Sequence, residues 1–251
     1  MANWVLKGLA TQVVTTRYPF RREDDIPGAC SFTPSVTKDQ CLSTCAECAE
    51  VCPTGAIRKS LLSPDAPEID YARCIFCRQC AEVCPKRIIS LSKRFELSSL
   101  NDGGGILKEA GTANKVRRLF RRSLHIRHMD AGSCEACLSE ISALSSPYYD
   151  LNRLGFFFTN SPRHADVLLV SGPVTKNLEQ SLQKTYEAIP EPKMVIGAGT
   201  CAAGGWMAGQ NYACRKRLDS LLPVDLVIPG CPPSPLTLLH GLLLALGRVT
   251  K

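Results

Sequence analysis

The sequence predicts two folded units in series, a small cysteine-rich α+β unit followed by an open α/β sandwich with a parallel sheet. Two observations support this fold class. A cysteine pattern between Cys41 and Pro85 occurs twice, and beyond Leu124 short apolar runs alternate with helical segments. The chain of 251 residues is long enough for two domains with separate hydrophobic cores.

The first unit is an internal repeat of eight cysteines. Its copies read Cys41-x3-Cys45-x2-Cys48-x3-Cys52-Pro53 and Cys74-x2-Cys77-x2-Cys80-x3-Cys84-Pro85, and the six residues CAEVCP recur unchanged. Cysteine runs closed by Cys-Pro are the signature of bacterial ferredoxins, in which three cysteines of a run bind one [4Fe–4S] cluster and the fourth binds the other. This rule assigns a first cluster to Cys41, Cys45, Cys48 and Cys84, and a second cluster to Cys74, Cys77, Cys80 and Cys52.

Zinc and disulfide bonds are the alternative explanations for these cysteines. Zinc sites commonly use two separated pairs of ligands, often with histidine, and neither run contains a histidine. The N-terminus lacks the apolar core and cleavage site of a signal peptide, so we expect reduced cysteines in the cytoplasm. The first run departs from the ferredoxin pattern, because three residues separate Cys41 from Cys45. This leaves open a small bulge, competition from Cys30 as a ligand, or a less secure first cluster.

The net charge of +7 is clustered after the ferredoxin-like unit. The basic residues there are Lys115, Arg117, Arg118, Arg121, Arg122 and Arg127. Only Phe120 is interleaved with them, so we expect no nucleic-acid binding but a solvated face or a docking segment. The amphipathic residues 4–14 suit either a membrane surface or the chain's own ferredoxin domain. No stretch approaches the roughly 18 apolar residues that cross a bilayer.

The second unit alternates strands and helices. Continuous apolar runs, typical of strands buried on both faces of a parallel sheet, occupy residues 154–158, 167–170, 194–196 and 226–228. Helical patterns occupy residues 137–144, 175–188, 214–221 and 236–246. This order predicts a flavodoxin-like sandwich. The last helix is apolar nearly all round, so it should be buried against the sheet or a partner subunit. The predicted divisions are a lead-in (1–37), a two-cluster ferredoxin domain (38–92), a basic linker (93–123) and the α/β domain (124–251).

Four further cysteines lie in turns of the α/β unit. Cys134 and Cys137 precede a helix, whereas Cys201 and Cys231 each follow a strand. Ligands at the carboxyl ends of neighbouring strands converge on one edge of an open α/β sheet. Adjacent glycines would let the backbone approach a bulky cluster and donate amide hydrogen bonds to its sulfurs. One buried free cysteine is common, but four in such turns indicate a third metal centre.

These motifs carry a resemblance to a known family. Residues 124–248 resemble the small subunit of membrane-bound group 4 [NiFe] hydrogenases, including formate hydrogenlyase, and the homologous complex I subunit that carries the terminal cluster. The matching motifs are Cys134-x-x-Cys137-x-x-Glu140, Ser161-Pro-Arg-His-Ala-Asp166, Gly172-Pro-Val-Thr175, Gly199-Thr200-Cys201 and Pro229-Gly-Cys231-Pro-Pro233. Residues 1–92 resemble the two-cluster ferredoxin subunit of the same complexes, so the chain looks like a fusion of two electron-transfer subunits.

The resemblance implies the chemistry of the second unit. A proximal [4Fe–4S] cluster, the third in the chain, would be held by Cys134, Cys137, Cys201 and Cys231. Glu140 would lie near the large-subunit interface as a candidate proton relay, although a glutamate early in a helix is as often solvated. Implied partners are a [NiFe] large subunit, membrane subunits, and an electron donor such as a ferredoxin or a formate dehydrogenase subunit. The implied location is the cytoplasmic face of the inner membrane, reached through partner subunits.

Two other functions stay open at this point. Complex I subunits have adjacent cysteines where this chain has the separated Cys134 and Cys137, which favours the hydrogenase-type subunit over a complex I-like module that delivers electrons to quinone. A non-catalytic iron–sulfur assembly or sensor protein is the other alternative. The apolar last helix argues against this alternative, because such a helix is expected to be buried against a partner subunit. Cys30 and Cys214 are expected to be structural thiols.

Overall fold

The computed structural model describes most of both units. The described residues are 7–10, 14–20, 33–36, 41, 45–59, 66–100, 119–120, 122–205, 211–214 and 217–249. Cys30, most of the 4–14 segment and most of the basic cluster lie outside them. Residues 7–10 are helical and exposed. Within the described ranges, no helix is both long enough and apolar enough to cross a membrane.

Strands and helices alternate through the described residues. The strands are β1 (Thr33–Val36), β2 (Ile57–Lys59), β3 (Pro67–Ile69), β4 (Ile89–Ser92), β5 (Ser99–Leu100), β6 (Leu124–Asp130), β7 (Phe156–Phe158), β8 (Val167–Ser171), β9 (Met194–Ala198) and β10 (Leu226–Ile228). The helices are α1 (Glu47–Glu50), α2 (Gln79–Val83), α3 (Ala136–Ala143), α4 (Lys176–Ala188), α5 (Gly199–Gly204) and α6 (Pro235–Ala245). Short 3-10 helices cover Leu151–Leu154, Pro162–His164 and Leu218–Ser220.

The ferredoxin unit is built from its two repeats. In each repeat a short helix, α1 or α2, is followed by a strand, β2 or β4. Strand β2 pairs with β3 and β4 pairs with β1, both antiparallel. The small core consists of Cys48, Ile57, Cys80 and Ile89, which occupy the same two positions in the two copies. The sequence repeat is therefore also a repeat in the packing. Strand β1 lies in the stretch that we expected to be an extended lead-in.

The second unit is a six-stranded, mostly parallel sheet in the order β5-β10-β9-β8-β6-β7. The four predicted apolar runs form β7, β8, β9 and β10, and these four strands and β6 all pair parallel with one another. Buried hydrophobic clusters cover both faces of this sheet. The predicted α/β fold class with a parallel sheet is confirmed.

One edge of the sheet comes from the range that we assigned to the linker. Strand β5 pairs antiparallel with β10, with Leu100 opposite Leu226. This pairing covers the backbone groups of β10, which would otherwise be an exposed edge. The stretch after the ferredoxin unit thus adds a strand to the α/β sheet.

Helix α6 is buried along its whole length. All its residues from Pro235 to Ala245 are buried, and they pack in the core cluster beside β10, β5 and α3. The prediction that this helix is buried against its own sheet is correct. The inference that it requires a partner subunit is wrong, because the chain itself covers the apolar surface.

Two local predictions are also wrong. Of the described residues of the predicted helix 214–221, only Leu218–Ser220 are helical, in a single 3-10 turn, because Cys214 makes a β-bridge with Thr175 and donates its N–H to Asn211 Oδ1. Both contacts hold the start of the segment out of a helical conformation. Arg127, which we placed in a basic docking segment, lies within β6 and is partly buried. The fully buried Leu124 and Ile126 draw this strand into the core.

Candidate metal centres

The first set of thiols joins the two repeats. Burial raises the pKa of the Cys48 thiol, and the nearby thiols of Cys41, Cys45 and Cys84 raise it further. Like charges shift a pKa in this way only over short distances. Cys84 belongs to the second run, so the structure brings together the set that the crossing rule predicts, including Cys41 and Cys45 on either side of the extra residue.

The second set is the complementary one. Burial raises the pKa of Cys74 to about 11, with further contributions from Cys80, Cys52 and Cys77. Burial likewise raises the pKa of Cys80 to about 11, and its neighbours include Cys48 of the first set. The two sets therefore adjoin within the ferredoxin unit.

Backbone amides point at the sulfurs of both sets. The N–H of Ala56 donates to Cys52 Sγ at 3.3 Å, and the N–H of Ile88 donates to Cys84 Sγ at 3.3 Å. These donors occupy equivalent positions in the two repeats. Hydrogen bonds to thiolates stabilise their charge and tune the reduction potential of an iron–sulfur cluster. Cys52 reflects this environment: burial raises its pKa, but the hydroxyl of Thr54 and the amide of Ala56 hold it below the ordinary value.

The third set lies at the carboxyl edge of the parallel sheet. Burial raises the pKa of Cys137 to about 12, and Cys201, Cys231 and Cys134 add to this shift. Cys134 and Cys137 follow β6, Cys201 lies in α5 directly after β9, and Cys231 follows β10. Cys134 and Cys231 are exposed, whereas Cys137 is buried. The set therefore extends from the interior of the unit to its surface.

Glycine leaves room beside the buried thiol of this third set. Gly199 has φ of +87°, and a Cβ at this position would lie 2.8 Å from Cys137 Sγ. No side chain fits there without moving the sulfur. The donor sets consist of thiols only, and the backbone is cleared beside Cys137. These residues fit a thiolate-bound cluster, for which compact all-cysteine sets are typical.

All cysteines in the described part of the chain are free thiols. Among those residues, no group of three or more His, Cys, Asp or Glu side chains is arranged to hold a single metal ion. Cys214 is buried and its thiol affects the pKa of Cys201, but it stands in the β-bridge with Thr175 rather than in a turn at the sheet edge.

Glu140 lies in α3, one helical turn beyond Cys137. Burial raises the pKa of its carboxyl group. It lines a cavity of about 300 Å³ together with Cys231 and residues of the ferredoxin unit, among them Phe76 and Arg78. The carboxyl group is therefore placed close to the third set of thiols, in a recess between the two units.

Sequence reasoning did not identify two residues that shape the third set. Asp130 Oδ1 accepts hydrogen bonds from the N–H groups of Gly132 and Ser133, and Oδ2 accepts one from the Ser133 hydroxyl, which fixes the turn leading to Cys134. The Asp-x-Gly-Ser order of residues 130–133 was the available signal. Thr200 is buried and donates its hydroxyl hydrogen to the Cys74 carbonyl oxygen. No sequence pattern predicts the contact between Thr200 and Cys74.

Comparisons with known proteins agree with this arrangement. Residues 134–245 match the family model described as NADH ubiquinone oxidoreductase, 20 kDa subunit, and residues 67–90 match a 4Fe-4S binding domain. A probable membrane-bound hydrogenase subunit, mbhJ, of Pyrococcus furiosus is 44% identical over 134 residues, which are 53% of this chain and 80% of the relative. The chain belongs to the family of the 20 kDa subunit.

Two further proteins are similar to this chain. The uncharacterized protein MJ0516 of Methanocaldococcus jannaschii is 41% identical over 129 residues, which cover 51% of this chain and 86% of that protein. A chain of an archaeal respiratory membrane complex, the membrane-bound sulfane sulfur reductase, is 32% identical with a TM-score of 0.47, covering 53% of this chain and 73% of its own.

The family membership confirms the resemblance drawn from the motifs. The chain is a hydrogenase-type electron-transfer subunit of an oxidoreductase, and it carries an iron–sulfur domain of the 4Fe-4S type. The complex I-like alternative is not favoured over this assignment. The Pyrococcus furiosus relative is, by its name, a probable subunit of a membrane-bound hydrogenase.

Proposed function

We propose that this chain binds three [4Fe–4S] clusters and conducts electrons to or from the active site of a membrane-associated [NiFe] hydrogenase. The proposal rests on one observation: twelve thiols form three sets of four. In each set, one thiol has its pKa raised by the nearby charges of the other three. Two sets would be the ferredoxin clusters and the third the proximal cluster. When bound, the clusters supply one-electron carriers within the roughly −700 to +450 mV that iron–sulfur centres span.

The ferredoxin unit and the α/β unit would then be the two halves of one conduit. We propose the division at 38–92 and 124–251 for the bodies of the two units, with β1 of the lead-in joining the first unit and β5 of the linker joining the second. The repeated core of Cys48, Ile57, Cys80 and Ile89 supports an independent ferredoxin unit. The burial of Cys48 and Cys80 within that core excludes water from one side of the first two sets.

The surface around the third set supports a large-subunit interface there. Cys134 and Cys231 are exposed, and Leu138 of the adjoining helix α3 is 37% exposed. Glu140, whose carboxyl pKa is raised by burial, would be the candidate proton relay between this surface and the active site of the partner. The nickel site itself would belong to that partner. Membrane subunits and an electron-donor protein would complete the complex, with this chain peripheral on the cytoplasmic face.

The test uses the intact complex, purified anaerobically through a tag on this chain. We expect nickel in a co-purifying large subunit, and hydrogen evolution with a low-potential one-electron donor. Quinone reduction without nickel would instead establish the complex I-like module. A monomeric chain with labile clusters and no co-purifying subunit would establish the assembly or sensor alternative, and would contradict the proposal.

A further inference from the structure

A single buried threonine connects the loops that carry the second and third sets of thiols. Thr200 is 3% exposed, and its Oγ1 donates a hydrogen bond of 2.8 Å to the carbonyl oxygen of Cys74. Its N–H donates to the carbonyl oxygen of Gly230 at 2.8 Å. Thr200 precedes Cys201 in the chain, and Gly230 precedes Cys231. One residue therefore bonds to a ligand of the second set, precedes one ligand of the third set, and bonds to the residue that precedes another.

The backbones on the two sides of this contact approach very closely. A Cβ on Gly204 of α5 would lie 2.5 Å from the carbonyl oxygen of Ala72 and 3.0 Å from Cα of Arg73. Any side chain at Gly204 would push α5 away from the ferredoxin loop. We call this contact, formed by Ala72, Arg73, Cys74, Thr200 and Gly204, the inter-unit seam.

The ferredoxin side of the inter-unit seam is held by its own hydrogen bonds. The backbone carbonyl of Asp70 accepts a hydrogen bond from the N–H of Cys74. The carboxylate of Asp70 accepts a second one from the N–H of Ala72. The seam therefore joins an ordered ferredoxin loop to helix α5, and the Thr200 hydroxyl bridges the two. Buried carbonyl groups without a hydrogen-bond donor are costly, so the bridge also satisfies the Cys74 carbonyl at the junction.

We propose that Thr200 is a positioning residue for electron transfer between the second ferredoxin cluster and the proximal cluster. This rests on the proposed function above. In each transfer one electron leaves the second cluster, which is oxidised, and enters the proximal cluster, which is reduced, with no proton or bond exchanged. Electron tunnelling weakens steeply with separation. The hydroxyl bridge holds the Cys74 and Cys201 ligands at close range and supplies a hydrogen-bonded path between them.

The experiment compares Thr200→Val, which keeps the shape and removes the hydroxyl, with Thr200→Ser, which keeps the hydroxyl. Gly204→Ala should separate the seam by displacing α5, while the Thr200 side chain keeps its hydroxyl. Thr33→Val is the matched control, because the Thr33 hydroxyl is also buried and donates to a backbone carbonyl, that of Arg94, outside the inter-unit seam. The full chain is purified anaerobically with its clusters, and iron content is measured first.

Two readouts separate positioning from folding. The first is the communication between the two clusters. EPR measures the magnetic coupling between the reduced second cluster and the reduced proximal cluster, and a kinetic experiment measures how fast the proximal cluster is reduced after rapid electron delivery to the ferredoxin clusters. The second is hydrogen exchange of the seam amides, Cys74 and Thr200, which should speed up by about tenfold when one buried hydrogen bond is lost. Amides of β9 serve as the unchanged reference.

We expect Thr200→Val and Gly204→Ala to keep all clusters, weaken the magnetic coupling and slow the transfer several-fold. Thr200→Ser and Thr33→Val should match the wild type. Wild-type coupling and rate in Thr200→Val would overturn the positioning role and leave the proposed function intact. If Thr200→Val loses a cluster, Gly204→Ala decides, and wild-type coupling there overturns the inference. A wild-type chain without a proximal-cluster signal refutes the proposed function, and the inference with it.

Discussion

Gly199→Ala should remove the proximal cluster and spare the other two. The new methyl group would start 2.8 Å from Cys137 Sγ. Ordinary van der Waals separation is about 3.5–4.0 Å, so the sulfur has to retreat by roughly 1 Å. Alanine at the left-handed φ of Gly199 costs about a further 1–2 kcal/mol. The buried ligand of the third set is displaced, whereas both ferredoxin sets are distant in the chain.

The assay is iron content and EPR of the full chain, purified anaerobically. We expect about eight irons in place of about twelve, four for each cubane, and loss of one set of reduced-cluster signals. Gly197→Ala is the matched control, since its Cβ would meet Leu218 at 3.4 Å, an ordinary contact, without a left-handed backbone. Full iron content and an intact proximal signal in Gly199→Ala would refute the placement of Cys137 among the ligands.

Three other predictions test separate parts of the account. Cys84→Ser should abolish the same EPR signal as Cys48→Ser and leave the one lost in Cys74→Ser, because the crossing rule puts Cys84 in the first set; loss of the Cys74-dependent signal would contradict the rule. Burial lowers the pKa of His128 below its ordinary 6.5, so the unfolded chain binds the proton more readily and the folded chain should lose stability as the pH falls through 6.5. Thermal unfolding between about pH 7 and about pH 5 should show a smaller loss in His128→Gln than in the wild type, and equal losses would exclude this role. Glu140→Gln should keep all clusters but lower hydrogen evolution by the intact complex, and unchanged evolution would remove Glu140 from the proton path.

The sequence was most informative for the cysteine runs, because the spacing of the cysteines decides which thiols can meet at one cluster. A Cys-Pro-closed run and its repeat indicate which thiols share a set, and the structure groups Cys48 with Cys84 as the repeat predicts. Continuous apolar runs predicted four strands of the sheet. In β8, β9 and β10 every residue is buried, as a strand covered on both faces requires, whereas the edge strand β7 leaves Phe157 and Phe158 exposed.

Features that depend on contacts distant in the chain could not be predicted. Strand β5 has only two residues, and its pairing with β10 is decided by tertiary packing rather than by its own pattern. The 214–221 segment looked helical in isolation, but the bridge from Cys214 to Thr175 overrides that preference. The hydrogen bond from Thr200 to Cys74 joins residues 126 positions apart, so no local pattern reveals it.

The central claim is that the chain holds three four-iron clusters, one of them on the thiols at the edge of the sheet. Mössbauer spectroscopy and iron analysis of the anaerobically purified wild-type chain test it most directly. The account predicts about twelve irons per chain, all in cubane clusters. About eight irons, with Cys134, Cys137, Cys201 and Cys231 all open to alkylation, would contradict it.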